Sequence, residues 1–493
     1  MSAYQDLVTH FKTIANFEHL AAITGWDQAS MMPKGGNQAR SEAMAQLAMH
    51  IHQLTTAPNL SELFDKACGE SLNQDEQASL REMKRVWQQA CVLPESLVKA
   101  KSLAGSQCEH AWRSQRQDND WQGFAKNWQD VVALSQEEAQ IRADGLGISA
   151  YDAMLDLYEP GVNTAQVDQI FSPLKAWLPE FIQAVSQKQS QESIYRPQSH
   201  YPQAAQKALG LEMMQLLGFD FDHGRLDISS HPFCGGVPTD VRITTRYDES
   251  DFEQALMGII HETGHARYEQ GLPNQWAGLP VGQARSMGIH ESQSLFCEMQ
   301  LGRSQAFIEQ LSPRLSKHFP QVEGQTFSVD NLAKLYTRVE PGFIRVDADE
   351  VTYPAHVILR YEIERDLINQ DIRWQDVPEL WDSKMQQYLG LSTQGNFKDG
   401  CMQDIHWTDG SFGYFPSYTL GAMYAAQFMA AMKKTLDVDG AIRSGDLSPI
   451  FAWLKKNIWQ QASLHDTNQL VTMATGEALN PEHFKQHLTT RYL

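Results

Sequence analysis

The sequence predicts a mainly α-helical protein that contains one small β-sheet. Three observations support this fold class. Apolar residues recur three and four positions apart over long stretches, which is typical of amphipathic helices. Residues 76–145 are rich in Glu, Gln, Ala, Leu and Arg and contain a single proline, Pro94. In contrast, residues 240–247 alternate with the period of two that indicates a strand.

The predicted elements follow one another along the chain. Helical spacing predicts one helix over residues 7–23 and another around residues 44–54. Residues 76–145 favour several long helices packed as a bundle. The polar segment 187–206 is the clearest change in composition, and it predicts a flexible connection or a boundary between lobes.

A small antiparallel sheet is predicted next. In residues 240–247, Val241, Ile243, Thr245 and Tyr247 alternate with polar residues. The preceding residues 231–236 have the glycine and proline content of a turn. We therefore expect a short sheet inserted in a helical protein.

Composition and charge exclude several classes of protein. The 493 residues include 40 Lys and Arg against 60 Asp and Glu, a formal net charge of −20. Such a surface repels nucleic acid and anionic membranes, and no basic run offsets it. The six cysteines are scattered without a CxxC pair, which favours free thiols in a reducing cytosol.

Apolar segments give no sign of export or membrane insertion. Charged and polar residues interrupt the first twenty positions, so no signal peptide is predicted. No run of 18 or more apolar residues occurs, and the best candidate, residues 424–432, is interrupted by Gln427. We expect a soluble, cytoplasmic protein.

The decisive segment is residues 250–271. Ser250 and Glu253 have the spacing of a capping box, Asp251 suits the positive helix end, and Gly271 is a natural stop. These signals predict a helix over about 251–270. Its apolar residues predict that the helix is buried, and they are Phe252, Ala255, Leu256, Ile259 and Ile260.

Two histidines and a glutamate lie in this helix with the spacing of a metal motif. His261 and His265 are four residues apart, so both rings can reach one ion from the same helical face. Glu262 lies beside them and can act as a general base on water. One divalent ion is predicted, zinc or else cobalt, since the same ligands accept both.

The third ligand must come from elsewhere in the chain. A metzincin would place Gly and His at positions occupied here by Tyr268 and Gly271. Glu291, in a second predicted helix, completes a set of two histidines and one glutamate that leaves a position open for water. His290 and Glu298 are the rival ligands.

Six motifs occur in order along most of the chain. They are His231-Pro232-Phe233, Asp240-Val241-Arg242-Ile243-Thr244, the segment from His261 to His265, His290-Glu291-Ser292-Gln293, the segment from Ile344 to Asp349 that includes Arg345, and the segment from Gly413 to Gly421 that includes Tyr418. With these motifs the chain resembles the carboxypeptidase Taq family of metallocarboxypeptidases. The segment from His261 to His265 resembles the metal helix of that family, and Glu291 matches its third ligand.

The resemblance implies a fold and an activity. It implies a bilobed helical molecule with a deep cleft, similar to neurolysin-like and angiotensin-converting peptidases, and usually a homodimer. It implies the removal of single residues from peptides with a free C-terminus. Although the length alone would allow about three domains, residues 1–493 are then one catalytic domain of two lobes.

A carboxypeptidase must also hold the terminal carboxylate of its substrate. A guanidinium does this best, through paired hydrogen bonds. Arg345 is the first candidate and Arg242 the second. Asp349 lies four residues after Arg345, and would orient it, or form a structural ion pair with it, if this stretch is helical.

Hydrogen-bond donors are needed for the oxyanion of the tetrahedral intermediate. His406 and Tyr418 are the candidates, since the resemblance implies a histidine and a tyrosine from this region facing the metal. Tyr414 is the alternative and a candidate substrate contact, and Tyr424 is also near.

The strand segment adds residues that shape the cleft. His231, Asp240, Arg242 and Thr244 are predicted near the substrate, with a structural turn residue as the alternative for His231. A strand beside the metal helix can also pair with an extended peptide. The rival functions are an endopeptidase or dipeptidase on the same fold, and a non-enzymatic helical binding protein. The intact Glu262 argues against the last of these.

Overall fold

The computed structural model describes residues 2–493 and confirms the predicted mainly α-helical class. The helices of the first half are α1 (Ala3–Ser30), α2 (Asn37–Thr55), α3 (Leu60–Cys68), α4 (Gln74–Cys91), α5 (Glu95–Gln117), α6 (Trp121–Leu146), α7 (Ala150–Leu155), α8 (Thr164–Gln189) and α9 (Gln203–Leu216).

The second half contains the remaining helices, which are α10 (Glu253–Gly271), α11 (Met287–Leu295), α12 (Gln305–His318), α13 (Val329–Tyr336), α14 (Tyr353–Ile368), α15 (Val377–Leu389), α16 (His406–Asp409), α17 (Pro416–Lys433), α18 (Val438–Ser444), α19 (Ser448–Asn457), α20 (Thr467–Thr475) and α21 (Glu482–Tyr492). A π-helical turn, Phe296–Gly302, continues α11. Short 3-10 turns connect several helices, including Arg345–Asp347 and Trp459–Gln461.

The N-terminal helices confirm the predictions made from periodicity. The predicted segments 7–23 and 44–54 lie inside α1 and α2, and residues 76–145 form three long helices, α4, α5 and α6. The predicted bundle is only partly formed, because α5 and α6 pack against each other while α4 packs with α1 and α3. Local caps define their starts, as in α4, where Asn73 and Glu76 form a capping box. The buried face of α1 packs with α3 and α4 around a small core that includes Leu7, Phe11 and Phe64.

The sheet has three strands, β1 (Gly224–Ile228), β2 (Phe233–Val237) and β3 (Asp240–Thr245), in the order β1-β3-β2. The predicted antiparallel pairing is correct for β2 and β3, but β1 pairs with β3 in parallel. The reason is that the chain reverses twice between β1 and β3, so these two strands run the same way. The predicted strand 240–247 ends at Thr245.

The sheet positions the helix that contains the metal motif. Val241 and Ile243 of β3 are fully buried and pack with Ile259 and Ala266 of α10 in a core of their own. The other face of α10 contributes Leu256 and Ile260 to the large core shared by most of the remaining helices. The metal helix is therefore fixed between the sheet and the main helical core.

The polar segment 187–206 joins the end of α8 to the start of α9. Asn331 of α13 hydrogen-bonds with both the backbone N–H and the backbone C=O of Tyr195, at 2.7 and 2.9 Å. All six cysteines are free thiols. Among the helices of residues 2–493, none has the length and apolar character needed to cross a lipid bilayer.

Candidate metal centre

The helix α10 differs from its prediction at the first turn. The expected capping box between Ser250 and Glu253 is not formed, because the Ser250 hydroxyl donates to Asp248 instead. The N-cap position is Phe252, and Asp251 before it accepts the backbone N–H of Glu253 at 2.8 Å. The helix ends at Gly271 as predicted, where a Cβ would lie 2.3 Å from the ring of Trp459.

The structure brings His261, His265 and Glu291 together. Their ligand atoms all lie within 4.8 Å of one another. The Nε2 atom of His261 is 3.8 Å from one Glu291 carboxylate oxygen, and the Nε2 atom of His265 is 3.6 Å from the other. Two imidazole nitrogens and one carboxylate that converge in this way match the donor set of a catalytic zinc site.

The imidazole rings of His261 and His265 are each oriented by a contact at Nδ1, the nitrogen that points away from Glu291. The Nδ1 atom of His261 is 2.9 Å from Glu298, and the Nδ1 atom of His265 is 3.1 Å from the carbonyl oxygen of His290. These contacts leave each Nε2 free to face Glu291. A carboxylate or carbonyl behind a ligand histidine is the usual arrangement in metal sites, so the residues fit a divalent ion.

The rival ligands lie outside the cluster. Glu298 approaches His261 from the Nδ1 side and also accepts from Arg303 at 2.8 Å. The ring of His290 contacts the Nδ1 atom of His265 at 2.7 Å and Glu269 at 2.8 Å. Of the three candidates for the third ligand, Glu291 alone completes the cluster.

A buried carboxylate that the sequence did not reveal supports α11. Glu159 is fully buried and accepts the backbone N–H of Gly288 in the first turn of α11, and the hydroxyl of Ser417 at 2.7 Å. Behind α11, Gly421 of α17 packs so closely that a Cβ would lie 2.8 Å from Glu291. Glu159 and Gly421 thereby fix the position of Glu291.

The cluster has an excess of acidic groups. Burial raises the pKa of Glu262 to about 7, a shift that His261 opposes and Glu291 reinforces. Burial lowers the pKa of His261, but its hydrogen bond with Glu298 and the charge of Glu291 outweigh burial and raise it to about 10. The carboxylates that stabilise a positively charged His261 would also stabilise a metal cation bound beside it, because the imidazolium and the metal ion are both positive.

A second cluster surrounds Arg345. This side chain is buried and donates from Nε to Asp404 at 2.9 Å and from Nη1 to the hydroxyl of Tyr353 at 2.7 Å. Both predictions for Asp349 are wrong, because Asp349 contacts the backbone of residues 340, 351 and 352 and not Arg345. The physical reason is that residues 345–347 form a 3-10 turn, so Asp349 does not lie one α-helical turn from Arg345.

The predicted oxyanion donors lie next to Arg345. The guanidinium of Arg345 is 5.0 Å from the ring centre of Tyr418, whose hydroxyl is 3.2 Å from Nε2 of His406. Tyr414 is adjacent, with its ring centre 5.2 Å from that of Tyr418. Burial and the charge of Arg345 lower the pKa of His406 to about 4, so this ring is neutral near pH 7. Tyr424 is a buried core residue that stacks on Phe428.

The residues of the strand segment are placed differently from one another. Asp240 and Arg242 form a paired ion bridge at 2.7 and 2.9 Å, and the Arg242 guanidinium lies 4.2 Å from the ring centre of Trp26 in α1. Thr244 is fully buried and bonds the backbone of Phe233, which is a structural role. The side chain of His231 is exposed, and only its carbonyl accepts a hydrogen bond, from Ser229.

A helical fold that brings two histidines and a glutamate to one point, with a second glutamate beside them, has the arrangement of a metallopeptidase. Comparison with known proteins gives the family. Residues 6–492 match the family described as carboxypeptidase Taq (M32) metallopeptidase. The chain belongs to this family of metallocarboxypeptidases, which confirms the resemblance, the fold class and the carboxypeptidase activity predicted from the sequence.

The similarity extends over whole chains. Thermostable carboxypeptidase 1 of Thermus thermophilus is 38% identical over 507 residues, which cover 100% of this chain and 98% of the relative. Carboxypeptidase 1 of Bacillus subtilis is 35% identical over 485 residues, covering 98% of this chain and 96% of the relative. The solved structure of Trypanosoma cruzi metallocarboxypeptidase 1 has a TM-score of 0.97 and 45% identity, with 99% of each chain covered.

Proposed function

We propose that this protein is a zinc-type carboxypeptidase that releases single amino acids from the C-termini of peptides, with His261, His265 and Glu291 as ligands of one ion. The observation that carries this proposal is the convergence of both Nε2 atoms on the Glu291 carboxylate, with each Nδ1 held from behind. When bound, a divalent ion supplies Lewis-acid polarisation and lowers the pKa of water. Zinc suits these donors and cobalt is the alternative.

Glu262 is the proposed general base and, later, general acid. It follows His261 directly on α10, and its pKa near 7 lets it accept a proton from the attacking water at neutral pH. The same carboxyl group can then return the proton to the amine of the leaving residue. Glu262 is therefore the one proton-transfer group that these two steps require.

Arg345 is the proposed site for the terminal carboxylate of the substrate. Two buried guanidinium groups, those of Arg345 and Arg360, share the single carboxylate of Asp404. One positive charge is therefore uncompensated, and a buried charge of this kind needs an anionic partner. Arg242, the second candidate, is already paired with Asp240 through two hydrogen bonds. This difference in charge favours Arg345.

His406 and Tyr418 are the proposed donors to the oxyanion, with Tyr414 as a further substrate contact. The hydrogen bond between His406 and Tyr418 and the closeness of both to Arg345 support this assignment. His231, Asp240 and Arg242 are proposed to shape the end of the cleft, between two lobes of one catalytic domain that spans residues 1–493. The cation–π contact between Arg242 and Trp26 brings α1 to this wall.

The cellular setting is also a proposal. Six free thiols and a net charge of −20 support a cytoplasmic enzyme that binds neither nucleic acid nor an anionic membrane. A homodimer is proposed from the family resemblance. The substrates are peptides with a free C-terminus.

One experiment separates this function from its rivals. Purified protein is incubated with a free-acid peptide, its C-terminally amidated copy and a chelator control, and the products are followed by mass spectrometry. We expect stepwise loss of C-terminal residues from the free acid only, and none with the chelator. Internal cuts in both copies would establish an endopeptidase, and hydrolysis of an added dipeptide with neither longer peptide cut would establish a dipeptidase. Absence of chelator-sensitive cutting would favour a binding protein.

A further inference from the structure

Arg267 is the one arginine in residues 2–493 whose side chain makes no hydrogen bond or ion pair within the protein. Every other arginine side chain in this range bonds at least one carboxylate, carbonyl or amide oxygen. The Nε atom of Arg267 is buried without a partner. Since a guanidinium carries five donors, an arginine that uses none of them is unusual in a folded protein.

The Arg267 guanidinium is positioned by packing against its planar faces and not by hydrogen bonds from its N–H groups. Its central carbon lies 5.3 Å from the ring centre of Phe451 and 5.3 Å from that of Trp459. A Cβ on Gly218 would come within 3.7 Å of the guanidinium, so the backbone there also packs against it. Cation–π contacts of this kind fix the plane of an arginine and leave its edge open.

The open edge faces a cavity of about 460 Å³ between the end of α9, α10 and the start of α19. Two further donors line it, the amine of Lys455 and the amide of Gln215, and neither has a partner in residues 2–493. The one acid in the lining, Asp446, accepts the backbone N–H and the hydroxyl of Ser448 through a single oxygen, Oδ1, at 3.0 and 2.6 Å. The lining therefore holds two cations without a partner in the described chain, Arg267 and Lys455, against one carboxylate.

This cavity is separate from the metal cluster. Arg267 follows His265 by two residues, which places the two side chains about 200° apart around α10. The two unpaired cations of this cavity also contrast with the net charge of −20 of the whole chain, which repels anions in general. A specific anion here would need local recognition.

We propose that the Arg267 cavity binds a small oxyanion, a phosphate or carboxylate group, through paired hydrogen bonds from the guanidinium with support from Lys455 and Gln215. The planar fork of an arginine matches two oxygens of either group. The cavity is large enough for the anionic end of a metabolite and open to solvent at Lys455, which is exposed. The site is independent of peptide hydrolysis and does not rest on the roles proposed for the metal cluster.

The test is isothermal titration of the intact metal-loaded protein with sodium phosphate and, in a separate arm, with sodium acetate. Sodium chloride at matched ionic strength controls for screening. We expect saturable binding of phosphate, acetate or both, with the tighter arm naming the class of ligand. Saturable uptake in neither arm, or equal uptake of chloride, would overturn the proposal.

Variants place the anion at this cavity. Arg267→Gln is expected to weaken binding by about tenfold or more, and Lys455→Gln by about threefold, while Arg113→Gln, an exposed arginine of α5, leaves it unchanged. Lys455 is exposed, so this variant remains informative if Arg267→Gln does not fold. Anion binding at the metal cluster would survive both substitutions, and unchanged affinity in Lys455→Gln or in a folded Arg267→Gln would refute the site.

Discussion

The two halves of the candidate site are built in different ways. The metal half takes two proposed ligands from α10 and a third from the neighbouring α11, so its members lie within 31 residues of sequence, from 261 to 291. The other half collects its residues from three separate segments, with Arg345 from one, Asp404 and His406 from a second, and Tyr418 from α17. Short-range spacing therefore defines the first half, and long-range packing assembles the second.

Their charges are also opposite. The metal half has more carboxylates than cations, with Glu262, Glu291 and Glu298 around two histidines. In the second half, Arg345 and Arg360 share one carboxylate. The first half is suited to a metal cation and the second to an anion, such as the carboxylate of a substrate or a developing oxyanion. We therefore expect the carboxylate end of a bound peptide to face the second half.

The largest expected effect tests the metal half. Glu262→Gln should lower kcat by about 10²–10⁴-fold, because the amide cannot accept a proton from water. The metal should remain bound, since Glu262 is not a proposed ligand. Turnover and metal content by elemental analysis check both statements, with Glu309→Gln, a surface ion-pair residue, as the control. Near-normal turnover in metal-loaded Glu262→Gln would refute the base assignment.

The next effect tests the donors of the second half. Tyr418→Phe should lower kcat by about 10²-fold through the loss of one hydrogen bond to the oxyanion. The ring that packs on Arg345 is retained, so KM should change little. Tyr414→Phe is the matched control, and we expect a smaller loss from it. A larger loss in Tyr414→Phe than in Tyr418→Phe would exchange the two assignments.

Arg345→Lys tests recognition of the substrate end. A lysine keeps the charge but cannot form the paired hydrogen bonds, so kcat/KM on free-acid peptides should fall by about 10–100-fold. Arg242→Lys should have a smaller effect, because Arg242 is already neutralised by Asp240. Steady-state kinetics with a set of free-acid peptides measures both. Equal losses in the two variants would contradict the preference for Arg345.

Glu298→Gln tests the support behind the metal ligands. The amide oxygen can still face Nδ1 of His261, but it lacks the charge, so metal affinity should fall by about tenfold. Competition with a chelator measures this change. The metal-saturated variant should hydrolyse peptides at close to the normal rate, and a loss of kcat at saturation would instead make Glu298 part of the chemistry.

The smallest effect concerns the support of the second half. Glu364 is fully buried and accepts hydrogen bonds from the indole N–H of Trp407 and the backbone N–H of Gly413, both of which lie in the segment between His406 and Tyr418. Burial raises its pKa to about 7, above the ordinary value of 4.5. A raised pKa means that this carboxyl stabilises the fold fully below pH 4.5, and that its contribution is lost as the pH rises through 7.

The Tm of the protein should therefore fall more steeply between pH 5 and pH 8 than the Tm of Glu364→Gln, whose amide does not titrate. Between pH 5 and pH 8, the Tm of the unmodified protein should fall by a few degrees more than the Tm of the variant, which is the order expected for one buried group. Thermal unfolding followed by circular dichroism at several pH values measures it. Parallel Tm curves for the two proteins would contradict the raised pKa of Glu364.

Sequence reasoning succeeded where the rule is local. Helical periodicity placed α1, α2, α4, α5 and α6, and the spacing of four residues put His261 and His265 on one face of α10. It failed where several partners compete for one group, as when Asp248 captured Ser250 and removed the capping box. It also assigned Asp349 to Arg345, because a 3-10 turn cannot be told from a helix over so few residues.

Some residues of the site gave no signal in the sequence. Glu159 and Glu364 are single glutamates among many, and nothing near them in the chain indicates that they are buried against α11 or the His406 segment. The sequence also contains no indication that Arg267 lacks a hydrogen-bond partner among residues 2–493, because this becomes visible only when the positions of all neighbouring groups are known. A single sequence lists donors and acceptors but not their pairing.

By itself, the sequence determined the helical class, the placement of His261, Glu262 and His265 together on one helix, and through six ordered motifs the family. These features depend on residue type and on spacing within a few turns, which the geometry of a helix converts directly into position. Only the tertiary structure decided that Glu291 and neither rival completes the cluster, that Asp404 is shared by two arginines, and that β1 runs parallel to β3. Each of these depends on contacts between segments far apart in the chain, and long-range packing sets them.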